Sequence, residues 1–149
     1  MSADAMPPQA SNALRDAYAA TDYVVLVTPE LHVRIGEDLP RELTALMAER
    51  GCRTAAIVTA WNPFSQQLPP EDNHRRQLQL LDDLGAAGIE WLPAEGRDPT
   101  GAWQAEASVL AFGLDAGQAR ELMARYQQHA IVWLAIGEPA ALCFKENLE

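Results

Sequence analysis

The stretch Thr54-Ala55-Ala56-Ile57-Val58-Thr59-Ala60-Trp61-Asn62-Pro63 decides how this chain is read. Its first seven residues are short, apolar and partly β-branched, which suits a strand covered on both faces better than an edge strand. We expect Thr54 to Ala60 at the centre of a sheet. Asn62-Pro63 then ends the strand, because asparagine tolerates turn geometry and proline restricts the residue before it. On its own the pair is ordinary turn punctuation. It stands, however, at the carboxyl end of the strand, where open α/β sheets place their ligand crevices.

Downstream, a loop from Trp61 to Pro70 leads to a helix from about Glu71 to Leu84, closed by Gly85 and Gly88. Ile89 to Ala94 is the next strand. After the loop Glu95 to Ala102, a strand from Ala105 to Phe112 sets Ala105, Ala107, Val109 and Ala111 on one face and Glu106, Ser108, Leu110 and Phe112 on the other. The small face suits close helix packing. Asp115 and Gln118 make a capping box for a helix with Ala119, Leu122, Met123 and Tyr126 on one stripe. Two strands, His129 to Ile136 and Ala140 to Phe144, close the chain around Gly137-Glu138-Pro139.

Upstream, Ser11 or Asn12 caps a short helix with Leu14, Ala17 and Tyr18 on one face. Strands Tyr23 to Val27 and Leu31 to Ile35 follow, joined by a hairpin turn at Thr28-Pro29-Glu30. Asp38 precedes a helical stripe of Leu39, Leu43, Leu46 and Met47 that stops at Gly51. The order α, β, β, α, β, α, β, β, α, β, β predicts an α/β (α+β) fold, a mixed sheet of about six or seven strands with three or four helices. One domain, residues 11–146, is expected between a flexible N-terminal tail (1–10) and a C-terminal tail (147–149).

Composition limits the function classes. A chain of 149 residues, 48% hydrophobic and 21% charged, is sized and composed to fold as one globular domain. Twenty-one acidic against 11 basic residues give a charge of -10, which disfavours nucleic acid and anionic membranes as partners. Arg75-Arg76 is too small a patch to reverse this. Cys52 and Cys143 have neither metal-ligand nor redox spacing, so a reducing, cytoplasmic setting is expected. The opening MSADAMPPQAS reads as neither signal nor anchor, and no later run approaches the ~20 apolar residues of a membrane span.

His32, His74 and His129 are scattered, so no metal site is assigned. No Gly-x-Ser-x-Gly elbow surrounds Ser65 or Ser108, and no glycine-rich phosphate loop is present, so no cofactor is named either. Trp91 and Trp133 read as core residues on strands. Trp61 and Trp103 lie on loops, where an aromatic more often serves a ligand or an interface.

Polar residues continue the buried stripe of the 71–84 helix: Gln77, Asn73 and His74 precede Leu78, Leu80, Leu81 and Leu84. The entrance of that helix, with Arg75 and Arg76 in its first turns, suits an anionic group; a frayed, solvated first turn fits the same pattern. If the 89–94 and 105–112 strands pair antiparallel, the end of one meets the start of the other. If 54–60 also runs parallel to 89–94, then Asn62, Asn73, Arg76, Glu95 and Glu106 converge at that edge. A purely structural salt-bridge network is the competing account. Glu106, on the face that continues to Leu110 and Phe112, is expected to be partly buried and bonded to Arg76, Asn62 or the Trp103 indole.

With these residues in hand, the chain resembles the bacterial domain of unknown function 3293 family. The resemblance rests on Thr59-Ala60-Trp61-Asn62-Pro63, Asn73, Glu95-Gly96, Trp103 with Glu106 and Ser108, and Gln128 followed by Ala130, and runs from about Tyr18 to Leu142. The family pattern has glycine before that glutamine, where this chain has Gln127. The resemblance implies that these polar positions belong together, and carries no activity, cofactor or catalytic residue with it.

Two functional readings follow. In the first, a cleft at the carboxyl end of the central strand binds a small polar or anionic metabolite or nucleotide, with or without turnover. Thr59, Trp61, Asn62, Asn73, Arg76, Trp103 and Gln128 would contact it, and Glu106 and Glu95 would supply acid or base function. In the second, Trp61, Trp103 and the acidic surface engage a protein partner without chemistry.

Overall fold

The structure, a computed structural model, describes residues 12–144. Both expected tails, and Ser11 as a cap, lie outside the described residues. Four α-helices and seven strands are present among them: α1 (Asn12–Ala20), β1 (Asp22–Val25), β2 (Leu31–Val33), α2 (Arg41–Glu49), β3 (Thr54–Val58), α3 (Pro70–Ala86), β4 (Trp91–Arg97), β5 (Glu106–Phe112), α4 (Ala116–Tyr126), β6 (Ala130–Ala135) and β7 (Ala141–Phe144). No helix among these residues is long and apolar enough to cross a membrane.

All seven strands form one sheet in the order β2-β1-β4-β5-β3-β6-β7. β3 is covered on both faces, as its composition requires, with Ala55, Ala56, Ile57 and Val58 all buried. Alternation sends Ala56 and Val58 into a core under α3 and α4, and Ala55 and Ile57 into a second core under α2. Helices therefore cover both faces of the sheet.

Two expectations need correction. The middle strand is β5, and β3 is its neighbour. The sheet, expected to be mixed, is antiparallel at every neighbouring pair. One feature explains both: the crossover through α3 lays β4 parallel to β3 but one strand away, and β5 fills the gap antiparallel to each. The small face of β5 makes the gap usable, since Val109 and Ala111 let α3 and α4 approach while Leu110 and Phe112 serve the opposite core.

The second helix starts at Arg41 rather than after Asp38. Pro40 stands at its N-cap, and a residue before proline is pushed out of the helical region, so Leu39 cannot join the helix. The capping box of α4 is formed in both directions: Asp115 accepts from the Gln118 N–H at 2.7 Å, and Gln118 Oε1 accepts from the Asp115 N–H at 3.0 Å.

α4 ends on a residue with left-handed backbone. Gln127 is left-handed (φ 55°, ψ 52°), and the Gln128 N–H returns to Met123 O at 2.9 Å, a turn that favours glycine at position 127. A side chain there meets the steric cost of the left-handed region, ~1 kcal/mol. Gln127→Gly is expected to stabilise the protein by about 0.5 kcal/mol, since glycine's greater unfolded-state freedom offsets part of that gain. Urea unfolding checks this; a loss of stability would show that the Gln127 side chain holds the turn.

Candidate functional site

The carboxyl end of β3, the carboxyl end of β4 and the first residues of β5 and β6 meet at one end of the sheet. Here, between the sheet and α1, lies a cavity of about 320 Å³. α1 roofs it with Leu14, Ala17 and Tyr18, and is tied down by two bonds. Thr21 Oγ1 donates to Ala17 O at 2.8 Å, and Tyr23 Oη donates to Tyr18 O at 3.4 Å. Ile57, Val58, Ala130, Ile131 and Val132 form the apolar floor, while Trp61, Trp103, Asn62, Glu106, Ser108 and Gln128 add rings and polar groups.

A directional chain of amides sets the polar side. Asn62 Oδ1 accepts from the Leu68 backbone N–H at 3.1 Å and from Asn73 Nδ2 at 2.8 Å. Because a backbone N–H can only donate, that atom must be the oxygen, and the Asn62 amide nitrogen must point the other way. It donates to Glu106 Oε2 at 2.8 Å. Asn73 is fixed by the same logic, its Oδ1 accepting from the Asn62 backbone N–H at 2.8 Å. Asn73 is 1% exposed and does not line the cavity; it holds Asn62 in place.

Glu106 is half-buried and bonded to Asn62, one of its three expected donors. Burial disfavours the charged form and raises its pKa above the ordinary carboxylate value, while the Asn62 hydrogen bond opposes the rise. Tyr18 and Tyr23 face it from α1 and β1. Burial, reinforced by the Glu106 charge, pushes the Tyr18 phenol up to about 12 and raises that of Tyr23 as well, so both stay neutral wherever Glu106 titrates.

Two residues of the lining each bury a polar atom without a hydrogen-bond partner among the described residues, Trp61 its Nε1 and Ser108 its Oγ. Ser108 is 8% exposed. Buried polar groups are seldom left unpaired, because each costs ~1–3 kcal/mol of desolvation.

The other expected site residues divide. Thr59 and Gln128 line the cavity with their polar groups partly committed. Thr59 Oγ1 donates to Ala107 O at 2.6 Å and accepts from the Trp61 N–H, and Gln128 Nε2 donates to Trp61 O and Tyr126 O. Arg76 is not at the cavity. Its Nε donates to Ala60 O at 2.8 Å and its Nη2 to Tyr126 O at 2.5 Å, so it pins backbone rather than a ligand. Gln77 Oε1 accepts from the Ala60 N–H, so buried Gln77 and Asn73 do continue the core stripe, whereas His74 and Arg75 are exposed. Glu95 is also absent from the lining. Strand alternation turns it to the other face of β4, where it pairs with Arg97, itself bridged to Glu30. Trp103 lies at the cavity and is 41% exposed, whereas Trp61 buries its indole nitrogen.

Tyr18, Thr21, Tyr23, Ser65, Gly96 and Ser108 also line the cavity and were not among the site residues expected from sequence. Ser108 carried a usable signal, since it shares a strand face with Glu106. Gly96 is the cross-strand partner of Glu106, which only the register reveals.

The fold and cavity define a single α+β domain with a seven-stranded antiparallel sheet and an aromatic-lined pocket at one sheet end. A family model described as "Protein of unknown function (DUF3293)" matches residues 58–131, from the end of β3 into β6, which supports membership of that family. Neither a curated protein nor a solved structure matches the chain.

Two outcomes follow from the amide chain. A carboxyl whose folded pKa lies above its unfolded value stabilises the native state at acid pH, and that contribution is lost as pH rises through the folded pKa. Glu106→Gln, which keeps an acceptor for Asn62, is therefore expected to be more stable than wild type at pH 7, with the difference vanishing below about pH 4, the ordinary carboxylate range. Urea unfolding at both pH values tests the sign, and a less stable variant at pH 7 would refute it. Asn73→Ala removes both amide bonds to Asn62 and is expected to cost about 2–4 kcal/mol, the scale for a broken buried network. A loss under 1 kcal/mol in the same assay would show that the chain does not hold Asn62.

Proposed function

We propose that the protein binds a small organic molecule in the cavity beneath α1, with Glu106 as its polar anchor. The observation that carries this reading is the cavity of about 320 Å³ itself, walled by the rings of Tyr18, Tyr23, Trp61 and Trp103 and holding the half-buried carboxyl of Glu106. The mostly apolar lining and the rings suit a ligand with an apolar body.

The anionic ligand considered from sequence loses its basis, because Arg76 is committed to two carbonyls and no arginine or lysine lines the cavity among the described residues. Glu106, whose carboxyl keeps its proton to higher pH than an exposed one, is the group for acid–base chemistry on a bound molecule. Glu95 has no access to it. The charge of -10 and the two free cysteines support a reducing, cytoplasmic setting and a partner other than nucleic acid.

A thermal-shift screen of neutral, cationic and anionic metabolites tests the reading. Any ligand present at 100 times its Kd is expected to stabilise the native state by about 2.7 kcal/mol and raise Tm by several degrees. Ser108→Val fills the space at the unpaired hydroxyl and is expected to keep or raise the ligand-free Tm while reducing the shift. No shift from a broad library at millimolar concentration, or hits unaffected by Ser108→Val, would overturn the assignment.

A further inference from the structure

The charge and ring content of the cavity narrow its ligand. Glu106 is the one formal charge among the described lining residues. The nearby arginines leave it uncompensated: Arg76 is bound to Ala60 O and Tyr126 O, and Arg97 lies across the sheet with Glu30 and Glu95. Asn62 occupies Oε2, and Oε1 has no donor among the described residues.

The rings gather beside this carboxylate. Gly96 stands directly across from Glu106 on β4. A β-carbon placed on Gly96 would lie 3.9 Å from Tyr23 Cε1 and 4.0 Å from Trp103 Cη2, so a tyrosine and a tryptophan close over the position opposite the acid. Tyr18 lines the same cavity from α1, and Trp61 from the loop after β3. Ring faces carry negative electrostatic potential and attract cations, most strongly where water is excluded. A half-buried carboxylate in a cavity lined by such rings and, among the described residues, by no basic side chain repels anions and holds a positive group better than a neutral one.

We propose that the ligand is a small organic ammonium ion, its charge held between the Glu106 carboxylate and the rings of Tyr18, Tyr23, Trp61 and Trp103. This deepens the binding function proposed above and rests on it. Burial raises the pKa of Glu106, and a cation in the cavity would offset that desolvation.

Isosteric pairs test the charge directly. Choline and 3,3-dimethylbutan-1-ol share shape and hydroxyl and differ by nitrogen against carbon; 2-phenylethylamine and 2-phenylethanol form a second pair for a primary ammonium. Titration calorimetry on the full chain at pH 7.5 is expected to show at least one cation binding about tenfold or more tightly than its neutral partner, the scale of a desolvated cation–ring contact with a carboxylate. Glu106→Gln, checked for folding by its unfolding curve, is expected to remove most of that advantage and leave neutral-partner affinity within about twofold. If neutral partners bind as well as cations, the ammonium assignment fails while the cavity stands as a ligand site. If neither member of either pair binds, the assignment also fails, and the cavity's role is judged by the metabolite screen. A cation preference that survives Glu106→Gln would place the charge elsewhere and overturn the proposal as stated.

Discussion

The Asn62 side-chain amide accepts from Leu68 and Asn73 at its oxygen and donates to Glu106 at its nitrogen, and the cavity wall is organised around that one group. It sits in a backbone that needs such help. Asn62, Phe64 and Ser65 all have positive φ, and none of them is glycine. Such residues persist only where their surroundings over-determine them. Here the surroundings are the two asparagines and the Phe64 N–H donated to Gln127 O at 2.5 Å. Without the amide chain, the loop would relax and Glu106 would lose the partner that fixes its orientation.

Topology explains why this end of the sheet carries the cavity. Inserting β5 between β3 and β4 brings the ends of two parallel strands and the start of the antiparallel one to a single edge. Alternation along β5 then sends Glu106 and Ser108 to the side roofed by α1, and Val109 and Ala111 to the side packed by α3 and α4. One strand thus supplies the polar anchor on one face and the tightest helix packing on the other.

Much of this was legible in the sequence, for identifiable reasons. Strand directions alone predicted that Asn62 and Glu106 would meet, because a helical crossover fixes β3 and β4 as parallel and a short loop fixes β5 as antiparallel to β4. The buried polar stripe of α3 was visible as Asn73 and Gln77 in step with Leu80 and Leu84. Two errors share a cause. Glu95 was grouped with Glu106 by proximity to the sheet end, although facing is set by cross-strand register and Gly96, not Glu95, stands opposite Glu106. Arg76 was read as a charge awaiting an anion, since no local pattern shows that the carbonyls of Ala60 and Tyr126 lie within its reach. Tyr18 and Tyr23 carried no such signal, because a ring lining a small cavity and a ring in a core have the same periodicity.

The Arg76 latch links parts of the chain that are far apart in sequence. One guanidinium in α3 binds a carbonyl just past β3 and another at the last residue of α4, and Gln128 shares the Tyr126 carbonyl while reaching Trp61 O. Releasing any one of these segments exposes bonded groups on the others, so the three behave as a single cooperative unit of local unfolding. Backbone amides at the close of α4 and in the loop after β3 would then exchange with solvent through a shared opening event, slower than their surface position suggests.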